Sequence, residues 1–352
     1  MNGMTKQESE FTWEIDATGN GMQRGEWDGL LQAATDATVF QSWSWGEYKR
    51  NHGWSPVRCL GRDKSGKVGA MAQILLKKLP LGIHAGWSPG GPVLQFKGCS
   101  PRQIGKALDA LREALQERYG RLWLRFHSHI RNDPELAYVF SGRFHRPFFK
   151  VNSEFSPFID LTASVEAFEK GMTSKHRYYM RQALAHGIDW KHGVDEALQD
   201  DLAKLHEEMT REKGMESIRL GREEIRKTFA ALGEQAMILN GYHAGEAVTS
   251  CLVLRFGNRG FYASAATGGK GRELCAAYAM IHELFRVLKD KGMAKLDFAG
   301  LDPKTPAAFG VNHFKRGFGG ELVEYLGEWE CASSEKLRWA INLGIWKKGG
   351  RL

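Results

Sequence analysis

The sequence predicts an α+β fold in which one plan, antiparallel strands followed by a crossover helix and one more strand, is used twice. Two passages carry it. In the first, Ser65-Gly66-Lys67 turns between apolar segments, the second running from Val68 to Leu76. A loop and strand around Trp87–Val93 follow, then a helix from about Pro101 to Tyr119 and the strand Leu122–Phe126. In the second, Ala244-Gly245-Glu246 turns between Met237–Tyr242 and Val248–Phe256. The strand Gly260–Ala266, a helix from about Glu273 to Lys291 and the strand Lys295–Phe298 complete it.

Each predicted helix has one apolar face. Ile104, Leu108, Leu111 and Leu115 recur at helical spacing in one, and Leu274, Tyr278, Ile281, Leu284, Phe285 and Leu288 in the other. Gly120 and Gly292 stand where a left-handed C-cap ends a helix. Between the two passages, Asn152–Leu161 reads as an extended crossing segment. Ser164 caps a short helix after it, and a basic helix covers Thr173 to Gly187. A further helix runs from about Asp195 to Lys213. The expected boundaries are 1–155 for the first domain, 156–330 for the second, and a partly frayed basic tail over 331–352.

Bulk composition narrows the function. Hydrophobic residues at 42% and charged residues at 26% describe an ordinary globular chain, with no apolar run of the length a membrane helix needs. The amino-terminal ten residues lack a signal-peptide layout, and the five cysteines are scattered. Reduced thiols in the cytoplasm are the expectation. A net charge of +8 and a pI near 9.1 tilt the partner towards a polyanion: nucleic acid, a nucleotide-linked substrate or an anionic membrane face.

Candidate chemistry concentrates at the end of the second copy. Asp297-Phe298-Ala299-Gly300 closes an apolar strand, a proline-broken loop follows, and a short helix carries Phe314, Lys315 and Arg316 into Gly317-Phe318-Gly319-Gly320. Charged and glycine residues at such a strand end mark a ligand site. On the basic helix, Arg177 and Arg181 stand four apart on one face with Lys175 nearby, a spacing that suits phosphate. Lys49 sits on a short aromatic helix, within Phe40–Trp54, and can reach an anionic ligand. Gly268-Gly269-Lys270-Gly271 precedes a helix and could receive a pyrophosphate on backbone N–H groups, although it lacks the Walker spacing. There is no His-Glu-x-x-His and no Gly-x-Ser-x-Gly; His127 and His129 are two apart on a strand end, so no metal site is expected.

Taken in order, these motifs resemble the FemABX aminoacyltransferases and their GNAT-like relatives. The motifs are Phe40-Gln41-Ser42-x-x-Trp45-Gly46-x-x-Lys49, Gly91-Pro92-Val93, Lys175-x-Arg177-x-x-x-Arg181, Asp297-Phe298-x-Gly300 and Phe314-Lys315-x-x-Phe318-Gly319-Gly320. The resemblance spans residues 38–328, with the last motif the most specific, and it lacks a long charged coiled-coil insertion, as in the compact FemX-like form. It implies two tandem GNAT-like domains, each a mixed, mostly antiparallel sheet flanked by helices. It further implies transfer of an amino acid from aminoacyl-tRNA to an amine of a peptidoglycan precursor or related cell-envelope acceptor.

Carried over by position, Lys49 and Arg177 or Arg181 correspond to residues that hold the diphosphate of a nucleotide-linked acceptor. Lys315, beside Phe314 at the substrate, corresponds to the lysine near the reacting ester. Asp297 and Asp302 are candidates for the base, and substrate-assisted proton transfer is equally compatible. The implied partners are charged tRNA and a nucleotide- or lipid-linked cell-wall precursor, with peripheral association at the inner face of the membrane and no stable protein partner. No cofactor is implied, aminoacyl-tRNA being a co-substrate. The alternative is an acyl-CoA-dependent N-acyltransferase acting on an amino sugar in surface or exopolysaccharide biosynthesis. A third reading is a non-catalytic tRNA- or glycan-binding module.

Overall fold

The computed structural model describes residues 11–214, 219–302 and 308–348. The strands in chain order are β1 (Phe11–Asp16), β2 (Ser55–Asp63), β3 (Val68–Leu79), β4 (Ile83–Pro89), β5 (Leu122–Arg131) and β6 (Phe155–Asp160). There follow β7 (Asp189–Gly193), β8 (Ala236–His243), β9 (Glu246–Phe256), β10 (Arg259–Thr267), β11 (Lys295–Asp297) and β12 (Glu321–Ala332). The chain divides into two compact units: Met1–Glu154 with Glu324–Leu352, and Phe155–Val323.

Within the first unit the sheet order is β1-β2-β3-β4-β5-β12, antiparallel except for the parallel pair β4–β5. Within the second it is β7-β8-β9-β10-β11-β6, antiparallel except for the parallel pair β10–β11. The parallel pair needs a crossover, and in each unit that crossover is the helix the periodicity predicts. The first is Pro101–Tyr119, opened by a capping box of Ser100 and Gln103 with Pro101 in the first turn, and closed on Gly120 at φ 62°. Its Ile104, Leu108, Leu111 and Leu115 are buried with Leu122, Leu124 and Phe126 of β5.

The second crossover differs from the single helix expected over 273–291. Cys275 adopts φ 55°, which breaks it into Gly269–Glu273 and Ala276–Asp290. The longer piece buries Ile281, Leu284, Phe285 and Leu288 against Leu296 and Phe298. The basic helix runs Ser174–Ala185 behind an N-cap at Thr173, and the following helix covers Glu196–Glu212.

Beyond 323 the chain departs from the expected boundaries. Residues 324–330 return to the first unit rather than closing the second, and the described residues 331–348 are not a loose tail. β12 pairs antiparallel with β5 from Tyr325↔Arg131 to Ala332↔Trp123. A helix Glu335–Lys347, N-capped by Ser334, then seats Leu337 and Ile345 against Trp123. Its apolar positions 337, 341 and 345 are spaced four apart, so one face meets the sheet. Arg338, which read as part of the basic tail, is buried and paired with Glu330 at 3.3 Å. The proline-broken loop from Pro303 to Ala307, the amino-terminal ten residues and Arg351 lie outside the described residues.

Candidate functional site

The site in the second unit arises where β11 stops. Only Arg259, Gly260 and Phe261 of β10 pair with β11; from Tyr262 to Thr267, β10 pairs with β9 alone, with a bulge between Tyr262 and Ser264. A strand that loses one neighbour leaves its backbone edge and side chains facing open space. Here that space is a cavity of about 650 Å³. Its walls come from β10 residues 262–267, from Tyr278 and Met280 of the crossover helix, and from Phe314 and Lys315 of the helix Phe309–Gly317. The lining is mostly apolar, with Lys213, Arg272 and Lys315 as its cations.

Lys315 is half-buried, and its Nζ donates to the carbonyl oxygens of Ala299 at 3.2 Å and Gly300 at 2.9 Å. Burial brings its pKa down to about 8, against the opposing pull of the Asp297 carboxylate. Asp297 builds the turn that offers those carbonyls. Its Oδ1 accepts from the Ala299 N–H at 2.9 Å and from the Ser156 hydroxyl. Ala299 sits at φ 62°, a left-handed conformation uncommon for a non-glycine residue and held here by that hydrogen bond. Asp302 is exposed, and its backbone is tied to Asn312 through bonds of 3.1 and 2.6 Å.

The helix carrying Lys315 is docked by His176, a fully buried residue of the basic helix. With Nε2 as the protonated nitrogen, the ring donates to the Phe314 carbonyl at 3.0 Å and accepts at Nδ1 from the Thr173 hydroxyl at 2.8 Å. The Thr173 N–H donates to the Gly317 carbonyl at 2.9 Å. A Cβ at Gly317 would stand 1.9 Å from His176 Cε1, so only glycine lets the ring lie this close. Phe298, Phe314, Phe318 and Tyr278 pack around the same point. Burial lowers the pKa of His176, which favours the neutral ring that this bonding pattern needs.

Of the residues singled out from sequence, Lys315, Phe314 and Asp297 meet at one place. Lys49 belongs to the first unit, where its ammonium lies 4.9 Å from the Trp45 ring and 5.1 Å from the Tyr48 ring. Arg177 turns back on its own neighbourhood: Nη1 donates to the Lys170 carbonyl at 2.9 Å and to that of Met172, closing off the helix Val165–Gly171. Arg181 is exposed, with no ion pair among the described residues.

The glycine cluster is already occupied by protein groups. Gly268 N–H donates to the Val248 carbonyl at 3.1 Å and Gly269 N–H to the Glu208 carboxylate at 2.7 Å. Gly271 lies so close to Val248 that a Cβ would meet its carbonyl oxygen at 2.0 Å. Among the described residues no group of three or more His, Cys, Asp or Glu could hold a metal.

Sequence reasoning missed His176, Ser156 and the wall of β10. His176 had a signal: it lies inside the basic motif, and its partner is the first glycine of Gly317-Phe318-Gly319-Gly320.

Two tandem α+β units with this strand order, each with one parallel pair, make up a tandem GNAT-like fold. Residues 192–343 match the model of the FemAB family. The chain's fold is that of FemX: the FemX crystal structure superposes with a TM-score of 0.79 at 15% identity, covering 94% of this chain and 100% of that one. The C-terminal domain of a putative lysylphosphatidylglycerol synthetase from Agrobacterium fabrum superposes at 0.56 and 12% identity, covering 92% and 98%. A tandem GNAT protein from the clavulanic acid biosynthesis pathway superposes at 0.55 and 14% identity, covering 92% and 99%. No curated protein sequence matches this chain.

Proposed function

We propose that this protein is an aminoacyltransferase that moves an amino acid from aminoacyl-tRNA to an amine of a peptidoglycan precursor or related cell-envelope acceptor. The observation that carries the reading is Lys315, an ammonium fixed by two carbonyls at the edge of a mostly apolar cavity. In the reaction the amine nitrogen attacks the ester carbonyl carbon, forming a C–N bond and an oxyanion. Collapse breaks the C–O bond to the ribose, whose oxygen takes up the proton that the amine gives up. A preorganised ammonium beside the oxyanion lowers that barrier, and it acts strongly because the site is partly screened from water.

Asp297 acts as the positioning residue for Lys315 by shaping the Ala299 turn. Arg181 is the more available phosphate ligand on its helix, since Arg177 already serves local carbonyls. In the first unit, Lys49 is proposed to take the acceptor's phosphate.

One observation disfavours the acyl-CoA alternative. A CoA pyrophosphate needs backbone N–H groups at the Gly268–Gly271 turn, and there the Glu208 carboxylate holds the Gly269 N–H. A second anion beside it would meet like-charge repulsion.

The test is incubation of the protein with charged tRNAs and a nucleotide-linked muropeptide, followed by mass spectrometry of the acceptor. The expected product is the acceptor extended by one amino acid. Failure to transfer from any charged tRNA, with heat stabilisation by acyl-CoA instead, would return the reading to the alternative.

A further inference from the structure

The helix Glu335–Lys347 buries one face on the first unit's sheet and carries a second apolar face outward. Trp339, Leu343 and Trp346, at spacings of four and three, share one side of the helix and are 57%, 52% and 55% exposed. Phe148 and Phe149, also partly exposed, extend the ridge. The Phe148 ring lies 4.1 Å from that of Trp339, and Phe149 stacks on Trp346 at 6.5 Å. Four aromatic rings and a leucine thus form one exposed apolar ridge, a feature that protein surfaces rarely carry without a use.

Its charge is one-sided. Lys336, Lys347 and Lys348 are exposed, with no ion pair among the described residues. The one nearby acid on the helix, Glu335, is neutralised by Arg338 at 2.9 Å and faces His145 at 3.4 Å.

We propose that this ridge seats the protein on the surface of an anionic phospholipid bilayer. Trp and Phe partition to the headgroup boundary, and lysines beside them meet the negative surface potential. A second copy of the chain is a poorer occupant: a two-fold contact would bring two lysine-rimmed faces together with no acid to answer them. Nothing in the argument depends on the acyl donor or on Lys315, so it stands apart from the proposed reaction.

The test is flotation of the full chain with vesicles of phosphatidylcholine alone and of phosphatidylcholine mixed with phosphatidylglycerol. The partition coefficient is expected to rise about tenfold with the anionic lipid and to fall with added salt. Trp339→Ser with Trp346→Ser should lower it about tenfold, with the unfolding temperature unchanged because both side chains are surface groups. Lys347→Glu with Lys348→Glu should remove the preference for the anionic vesicles. The proposal is overturned if wild-type protein stays with the buffer in both cases. It is equally overturned if the tryptophan variant floats as wild type does, or if those substitutions abolish a concentration-dependent dimer in sedimentation velocity while leaving vesicle binding absent.

Discussion

The two units use the same strand pairing and treat the seam of the parallel pair in opposite ways. In the first, β4 and β5 stay paired from His84↔Leu122 to Pro89↔His127, and the side chain midway along that strand, Arg125, is wholly buried. It contacts Glu330 at 2.8 Å, Glu328 at 3.5 Å and Asn342 at 3.0 Å. In the second, β11 ends after three residues, its one inward-facing acid, Asp297, organises a turn, and the rest of β10 borders a cavity. One seam is closed with charge and the other is opened beside charge. A duplicated framework can thus divide stability and chemistry between its copies by the length of a single strand.

The largest expected effect tests the closed seam. Arg125→Met leaves Glu328 buried without its cation and Glu330 with Arg338 alone, and should cost about 3–5 kcal/mol of stability, read from urea unfolding. Transfer per folded molecule should stay within about twofold of wild type, because none of these groups belongs to the unit that carries Lys315. Next comes the open seam: Lys315→Ala should lower kcat about 100- to 1,000-fold while the unfolding midpoint holds or rises slightly. Because burial lowers the lysine's folded pKa to about 8, wild-type kcat/KM should decline above that pH, and the decline should vanish from the residual rate of the variant. If Arg125→Met and Lys315→Ala both damaged stability and rate alike, the division of labour would be wrong.

A smaller effect probes how the lysine helix is held. Gly317→Ala forces a methyl into the His176 ring and should cost about 1–3 kcal/mol, and adding His176→Ala should recover part of that loss in a double-mutant cycle. The smallest is a pH dependence. Burial lowers the folded-state pKa of His176 and of His206, a buried residue of the helix Glu196–Glu212 whose Nε2 lies 3.0 Å from the Ser264 hydroxyl, so the unfolded chain binds protons more readily. Their contribution is present in full above the unfolded histidine value of about 6.5 and is lost as pH falls from there through the folded values. Thermal unfolding followed downward from neutral pH should show the loss, and His206→Asn should flatten it.

Legibility followed the range of the interactions. The hairpins at Gly66 and Gly245 and the helix Pro101–Tyr119 were visible because turn chemistry, caps and apolar spacing are local signals. Asp297, Phe314 and Lys315 were visible as residues crowded at a strand end. The helix after β12 was hidden because Arg338 and Lys347 read as solvated charge, whereas Glu330, supplied by β12, is what makes Arg338 a buried residue. Arg177 was misleading for a related reason: phosphate and a row of helix carbonyls make the same demand on a guanidinium. Cys275 carries no sequence mark of its left-handed backbone, so the break in the second crossover could not be read.

The outer strand of the first unit has a consequence for how the chain is made. Residues 155–323 are continuous, so on the ribosome the second unit can complete its sheet as soon as they emerge. The first unit cannot. Its β5 must wait for β12, and Arg125 for Glu328 and Glu330, which follow it by roughly two hundred residues of synthesis. During that interval β5 has a bare edge and a buried arginine without its carboxylates. The half synthesised first is therefore the half finished last, and translation stalled before residue 324 would leave it as the chain's most vulnerable part.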